Sequence, residues 1–250
     1  MKFTRFKLLP VALLLFVVFS CDQEEVQSPY VVNNSVFPGD FLSDKKYTQL
    51  ILEVVFVEGN EPTQSALNNL VAFLGQRLNK PTGITTVLRS IPTAGKTTFD
   101  ASDLRDLEKI HRQRVNTDKL ITAWLFFVDG EYSTNTSTSK VLGVAYGPSS
   151  IAVFEETVNQ MSGGLNQPRT AALETTILEH EFGHILGLVN NGTSMVAPHQ
   201  DTDHSAHCSS LDCLMYYKAE TRIVGSDITG KGVPVLDENC LADLRAAGGK

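Results

Sequence analysis

The chain is short of positive charge. Lys and Arg number 21 against 28 Asp and Glu, and three of the basic residues (Lys2, Arg5 and Lys7) crowd the first 20 positions. The remainder is more acidic still than the formal net charge of -7 suggests, gains nothing from counterion release, and is no candidate for nucleic-acid binding. The apolar run from Leu8 to Phe19 falls short of the roughly 20 residues that a mature membrane helix needs. No internal repeat is visible, which removes repeat architectures. What remains is an ordinary globular balance, 42% hydrophobic and 20% charged, in a length that suits one compact domain or two small lobes.

The N-terminus reads as a targeting segment. A basic start, the apolar run, and Val18-Phe19-Ser20-Cys21 resemble a bacterial lipoprotein signal peptide over residues 1–20, with Cys21 as the lipidated residue. Asp22-Gln23-Glu24-Glu25 resembles the acidic run that directs some Gram-negative lipoproteins to the cell surface. The expectation is an exported lipoprotein at the outer membrane or cell surface, held to the membrane through its N-terminal lipid. Three cysteines follow: Cys208, Cys213 and Cys240. An exported compartment permits disulfides, and Cys208–Cys213 is the expected bridge, with the pairing of Cys240 left open.

Residues 21–46 read as the lipidated Cys and a polar tether, and residues 47–250 as the folded domain. Tyr47–Val57, Thr85–Ile91 and the very apolar Leu120–Val128 are strand candidates. Residues 63–79 carry apolar positions at helical spacing, and Asp103–Val115 reads as a charged amphipathic helix with His111 on its surface. Val141–Tyr146 and Ile151–Phe154 read as strand pieces around the Gly147-Pro148 turn. Pro168 can open a helix that runs to about Gly187. The rest is irregular until a short helix at Asn239–Ala247. This order implies an α/β (α+β) fold: a mixed twisted sheet with an antiparallel edge strand, helices packed on it, a long helix, and a small irregular C-terminal lobe over 188–250.

That long helix carries His180-Glu181-Phe182-Gly183-His184. Residues i and i+4 share a helix face at about 5–6 Å between Cβ atoms, so both imidazoles can reach one zinc ion at about 2.0–2.1 Å. Glu181 is turned about 100° from His180, so it can flank the ion without occupying it and serve as general base toward an activated water. Leu173, Ile177, Phe182, Ile185 and Leu186 give the helix packing, and Gly187 can end it sharply. The motif alone is short and arises by chance, so the packed helix around it matters.

His180 to Asn190 resembles the metzincin zinc signature, in which a third histidine follows the glycine by three residues. Asn190 stands there instead. Downstream, His207-Cys208-Ser209-Ser210-Leu211-Asp212-Cys213-Leu214-Met215 is similar to the archaemetzincin block whose histidine is the third ligand. The resemblance therefore implies His207 as third ligand, across an inserted loop of about 17 residues within 188–206. His204 is the alternative, followed by His199, an Asp or Asn190. Asp201 and Asp203 could serve a separate Ca²⁺. The family likeness casts Met215 as the Met-turn methionine and Tyr217 as a tyrosine that assists the developing oxyanion, beside plain packing roles for both. Archaemetzincins also carry a Cys-x-x-Cys that completes a structural zinc site; only Cys240 follows Met215 here, which favours a disulfide over a second zinc.

The resemblance implies a zinc metallopeptidase: His180, His184 and His207 on one catalytic ion, Glu181 as base, and an edge strand (142–145 or 151–154) that pairs with a peptide or protein substrate. The alternative is a catalytically silent surface-binding lipoprotein on a peptidase scaffold, motivated by Asn190. A peptidase group using a downstream glutamate, Glu220, ranks lower. Oligomeric state is open.

Overall fold

In the computed structural model, which describes residues 36–165, 168–219, 221–222 (backbone only) and 232–250, the elements follow in this order: α1 (Pro38–Leu42), β1 (Gln49–Val57), α2 (Gln64–Arg77), β2 (Gly83–Ile91), β3 (Thr98–Phe99), α3 (Ala101–His111), β4 (Leu120–Val128), β5 (Glu131–Tyr132), β6 (Lys140–Val141), β7 (Gly143–Gly147), β8 (Ser150–Phe154), α4 (Glu155–Gln160), α5 (Thr170–Ile185), a 3₁₀ turn (Tyr217–Ala219), β9 (Thr221–Arg222) and α6 (Glu238–Ala246). The expected signal peptide, Cys21, the start of the tether and Glu220 lie outside the described residues.

Five strands form one sheet in the order β2-β1-β4-β8-β7. The β1–β2, β1–β4 and β4–β8 pairs are parallel, and the edge strand β7 runs antiparallel to β8. Strands buried on both faces should read as continuous apolar runs, and β4 (LITAWLFFV) does. Its alternation sorts two cores. Ile121, Ala123, Leu125 and Phe127 join Leu50, Leu52 and Val54 under α2 and α5. Trp124, Phe126 and Val128 join Val55 and Val57 on the other face, with Leu104 of α3.

Helix boundaries follow local chemistry. Thr63 caps α2 by accepting from the Ala66 amide, and Asp100 caps α3 by accepting from the amides of Ser102 and Asp103. Arg112, at the end of α3, is buried and donates to Glu108, Ser149 and the Thr122 carbonyl and hydroxyl. This network ties the helix to β4 and the start of β8.

The packed domain begins earlier than the sequence suggests. Residues 36–46 do not continue a tether: Phe41 and Leu42 are fully buried, and Lys80 donates to the carbonyls of Asp40, Ser43 and Tyr47. Five residues are too few to show helical periodicity, so α1 was invisible to spacing arguments. His111 is half-buried rather than on the surface, and burial lowers its pKa. The C-terminal segment adds Cys208, Cys213, Leu214, Met215, Leu236, Cys240 and Leu244 to the same core as the α2/α5 face of the sheet.

Candidate metal centre

Helix α5 is a buried rod: residues 173–183 are all shielded from solvent. Its first half is fixed by Glu174, whose carboxylate accepts from the Thr63 amide (3.0 and 3.1 Å) and hydroxyl. Its middle lies so close to β7 that a Cβ on Gly143 would fall 2.4 Å from Ile177 Cγ2 and 3.1 Å from Glu181 Cγ. At Gly183 a Cβ would fall 2.3 Å from Met215 Sδ, so the methionine seats directly under the motif. The helix ends at Gly187 (φ 73°), and Thr193 closes the turn by donating its amide to Gly187 O and its hydroxyl to Leu186 O. Val189 and Asn190 continue with φ of 54° and 62°, which directs the exposed Asn190 into a left-handed turn.

The structure brings His180, His184 and His207 together, with their ligand nitrogens within 4.8 Å of one another. His180 Nδ1 lies 2.7 Å from Leu214 O, and His207 Nδ1 lies 2.9 Å from Ser205 O. A carbonyl only accepts, so each Nδ1 carries the proton and each Nε2 carries a lone pair. His180 Nε2 and His184 Nε2 face each other at 3.1 Å, an arrangement that needs a proton or a cation between them. Tetrahedral zinc with three imidazoles would space its nitrogens at about 3.4 Å, so the donor set fits that ion. His207 stacks on His180 (ring centroids 5.3 Å) and meets His184 edge-on at 5.0 Å.

Glu181 is fully buried beside the trio, and its Oε2 accepts from the Ala145 amide of β7 at 2.7 Å. One carboxylate therefore joins the helix of His180 and His184 to the sheet edge. The segment through Met215 is tied back as well: Cys208 donates its amide to Met215 O at 2.8 Å. His207 thus enters the site from a chain already bonded to the layer under it.

His204 lies elsewhere. Its Nδ1 pairs with Asp201 Oδ2 at 2.8 Å, and its ring stacks on Tyr217 with centroids 3.6 Å apart and planes 3° from parallel. Asp201 also accepts from the Asp203 amide, which with His204 holds its pKa below the usual carboxylate range. Neither Asp201 nor Asp203 belongs to a metal-ligand group among the described residues, and nothing supports the calcium expectation.

The expected Cys208–Cys213 bridge is corrected. All three cysteines in the folded region are free and buried. The turn through 208–213 sets Cys208 against His199 and Asp237, and Cys213 against Cys240. Cys213 Sγ lies 3.7 Å from Cys240 Sγ, and Cys208 Sγ lies 3.4 Å from His199 Nδ1 and 3.3 Å from Asp237 Oδ2. His199, Cys208, Asp237 and Cys240 form a second possible metal-ligand group. Hydrogen bonding from Cys208 and Cys240 lowers the Cys213 pKa to about 4, and its neighbours push Cys240 up. Burial works against charging His199, but Cys208 and Asp243 outweigh it and raise its pKa. The sequence reading missed this gathering because its members sit at 199, 208, 237 and 240. The available signal was the absence of any intrachain even pairing for three thiols.

No protein-family model matches the sequence, and no curated protein does. Among solved structures, archaemetzincin from Methanopyrus kandleri superposes with a TM-score of 0.51 at 15% identity, covering 80% of this chain and 96% of that one. Metalloproteinase-II from Bacteroides fragilis gives a TM-score of 0.42 at 12% identity, covering 86% of this chain and 58% of that one. At such identities the first likeness is one of fold, and the fold is archaemetzincin-like.

Proposed function

We propose that this protein is a zinc-dependent metalloendopeptidase. The observation that carries the reading is the tautomer pattern: backbone carbonyls hold the Nδ1 protons of His180 and His207, which leaves Nε2 lone pairs converging with His184 beside a buried Glu181. A zinc ion held by those three histidines would supply Lewis acidity, polarising a carbonyl and acidifying water. Glu181, steadied by the Ala145 amide, is placed to take a proton from the attacking water and return it to the departing amine. The outer edge of β7 is the end of the sheet, where an extended peptide backbone can add as a further strand. Asn190 motivated a silent site; the convergence of His207 with His180 and His184 supports His207 as the third ligand instead. The lipid anchor at Cys21 and a cell-surface location belong to the same proposal, and Cys21→Ala should abolish metabolic labelling by palmitate.

The test is digestion of an unbiased peptide mixture by the zinc-loaded protein beside Glu181→Ala. The variant should bind zinc normally and lose about 10²–10⁴-fold in cleavage. Undiminished cleavage by Glu181→Ala would overturn the mechanism. Silence from both proteins would overturn the enzyme reading and leave a binding protein.

A further inference from the structure

The turn that closes the motif helix contains an asparagine–glycine step. Of the asparagines in the chain, Asn191 alone precedes a glycine. Asn191 and Gly192 are both exposed, and Gly192 sits at φ 119°, a conformation that glycine adopts without strain. We propose that Asn191 is a self-modification site, where the side-chain amide is lost through Gly192, and that the product loosens His184 within the histidine trio.

The step needs only water. The Gly192 nitrogen attacks Cγ of Asn191. As that bond forms the Cγ–Nδ2 bond breaks, and the displaced amide leaves with the Gly192 proton as ammonia. Water then opens the five-membered imide at one of its two carbonyls and gives aspartate or isoaspartate. A side chain on residue 192 would crowd the attack, and glycine has none. Asp129-Gly130 could close the same ring with loss of water, but Gly130 is buried, and a Cβ there would fall 2.7 Å from Thr97 O. Backbone packed that tightly cannot bend into the imide, so the reaction is confined to residue 191.

The effect on His184 rests on the zinc reading; the modification itself does not. Residues 191–193 close the C-terminal end of the helix. The Asn191 side chain donates to the His184 carbonyl at 3.4 Å, and the Thr193 hydroxyl donates to the Leu186 carbonyl at 2.7 Å. The amides of Asn191 and Thr193 converge on Gly187 O at 3.1 and 2.9 Å. No further helical turn serves these carbonyls, so this cap satisfies them. Aspartate at 191 replaces a donor with an acceptor and sets a negative charge against the negative end of the helix. Isoaspartate also inserts a methylene into the backbone between the two amides that share Gly187 O, so both cannot stay on it. The turn has little room to absorb the change: a Cβ on Gly187 would fall 2.7 Å from both Pro38 Cγ and the Thr193 nitrogen. The carbonyl that loses its donor belongs to His184, and the imidazole shifts with its backbone.

The experiment ages the full zinc-loaded protein in warm, mildly alkaline buffer. Peptide mapping reads the amide-to-acid mass change, and enzymatic methylation marks isoaspartate. Metal titration, with His184→Ala as the blank, reads the affinity of the trio. The wild type should gain acid and isoaspartate at 191 over days and no isoaspartate at 129, while Asn191→Gln should gain neither at 191. Aged wild type and fresh Asn191→Asp should bind zinc at the trio about 10-fold more weakly than fresh wild type, and aged Asn191→Gln should hold its affinity. An Asn191 that survives ageing intact would overturn the site. Isoaspartate at 129 to the same extent would overturn its confinement to the exposed turn. Modified protein with undiminished trio affinity would overturn the coupling. Fresh protein whose trio takes up no zinc would overturn the zinc reading and the coupling with it, while the mass change at 191 would still uphold the modification.

Discussion

The two ligand clusters meet at one peptide bond and are built in opposite ways. The histidine trio takes two of its three members from consecutive turns of one buried helix, so its geometry follows from helical spacing. The thiol cluster takes its members from the loop before His207, the turn after it, and the first turn of α6. The first has a rigid scaffold before any ligand arrives. The second has four donors on three separate segments, two of them irregular chain and the third the start of α6, and its order depends on what holds them together. The proposed chemistry falls on the preformed cluster, and stability is expected to depend on the other.

Breaking the thiol cluster should therefore have the largest effect on folding. Cys240→Ser, at a fully buried position, should cost about 3 kcal/mol or more in a urea melt, whereas His184→Ala should cost about 1 kcal/mol and abolish cleavage. Equal losses from the two variants would erase the contrast. Gly183→Ala drives a methyl toward Met215 Sδ and should cost about 1–3 kcal/mol, with a parallel fall in trio zinc affinity. Adding Met215→Ala should give a loss smaller than the sum of the single losses, because the clash is gone.

A carboxyl pair outside both clusters supplies a reference. Burial, with the charge of Glu174 beside it, pushes Glu155 up to about 9 from an ordinary 4.5. An acid held more tightly protonated in the fold stabilises fully below its unfolded value, and that stability is lost as pH climbs from about 4.5 toward 9. Glu155→Gln should therefore gain about 2 kcal/mol at pH 8, gain nothing near pH 4, and leave zinc content unchanged. A gain that is the same at both pH values would contradict the pairing. The smallest effect belongs to Asn190→Gly, whose left-handed backbone suits glycine: stability should move by less than about 0.5 kcal/mol and zinc affinity should hold. A drop in zinc affinity would return Asn190 to the ligand set.

Legibility tracked regularity. β4 emerges over the expected residues because a strand covered on both faces must be continuously apolar, and α5 because apolar spacing surrounds the His-Glu-x-x-His pattern. Asn190 marked a departure, and the Cys-Met block suggested His207 in its place; these two hints came from particular residues rather than periodicity. Helix α1 is too short to have a period. His199 carries no local mark at all, since what distinguishes it from His204 is Asp243, 44 residues away in sequence. The disulfide expectation failed because compartment chemistry says nothing about where a fourth donor sits.

One early contact has a mechanical side. Phe41 of α1 lies edge-on to Phe182 of the motif helix, with ring centroids 6.1 Å apart, and Pro38 abuts Gly187 where that helix ends. Tension applied to the chain ahead of Val36 would reach the helix of His180 and His184 before it reached β1. With the proposed anchor at Cys21 under load, that pull would arrive at the proposed metal site, and force would become a variable of the proposed activity alongside temperature and pH.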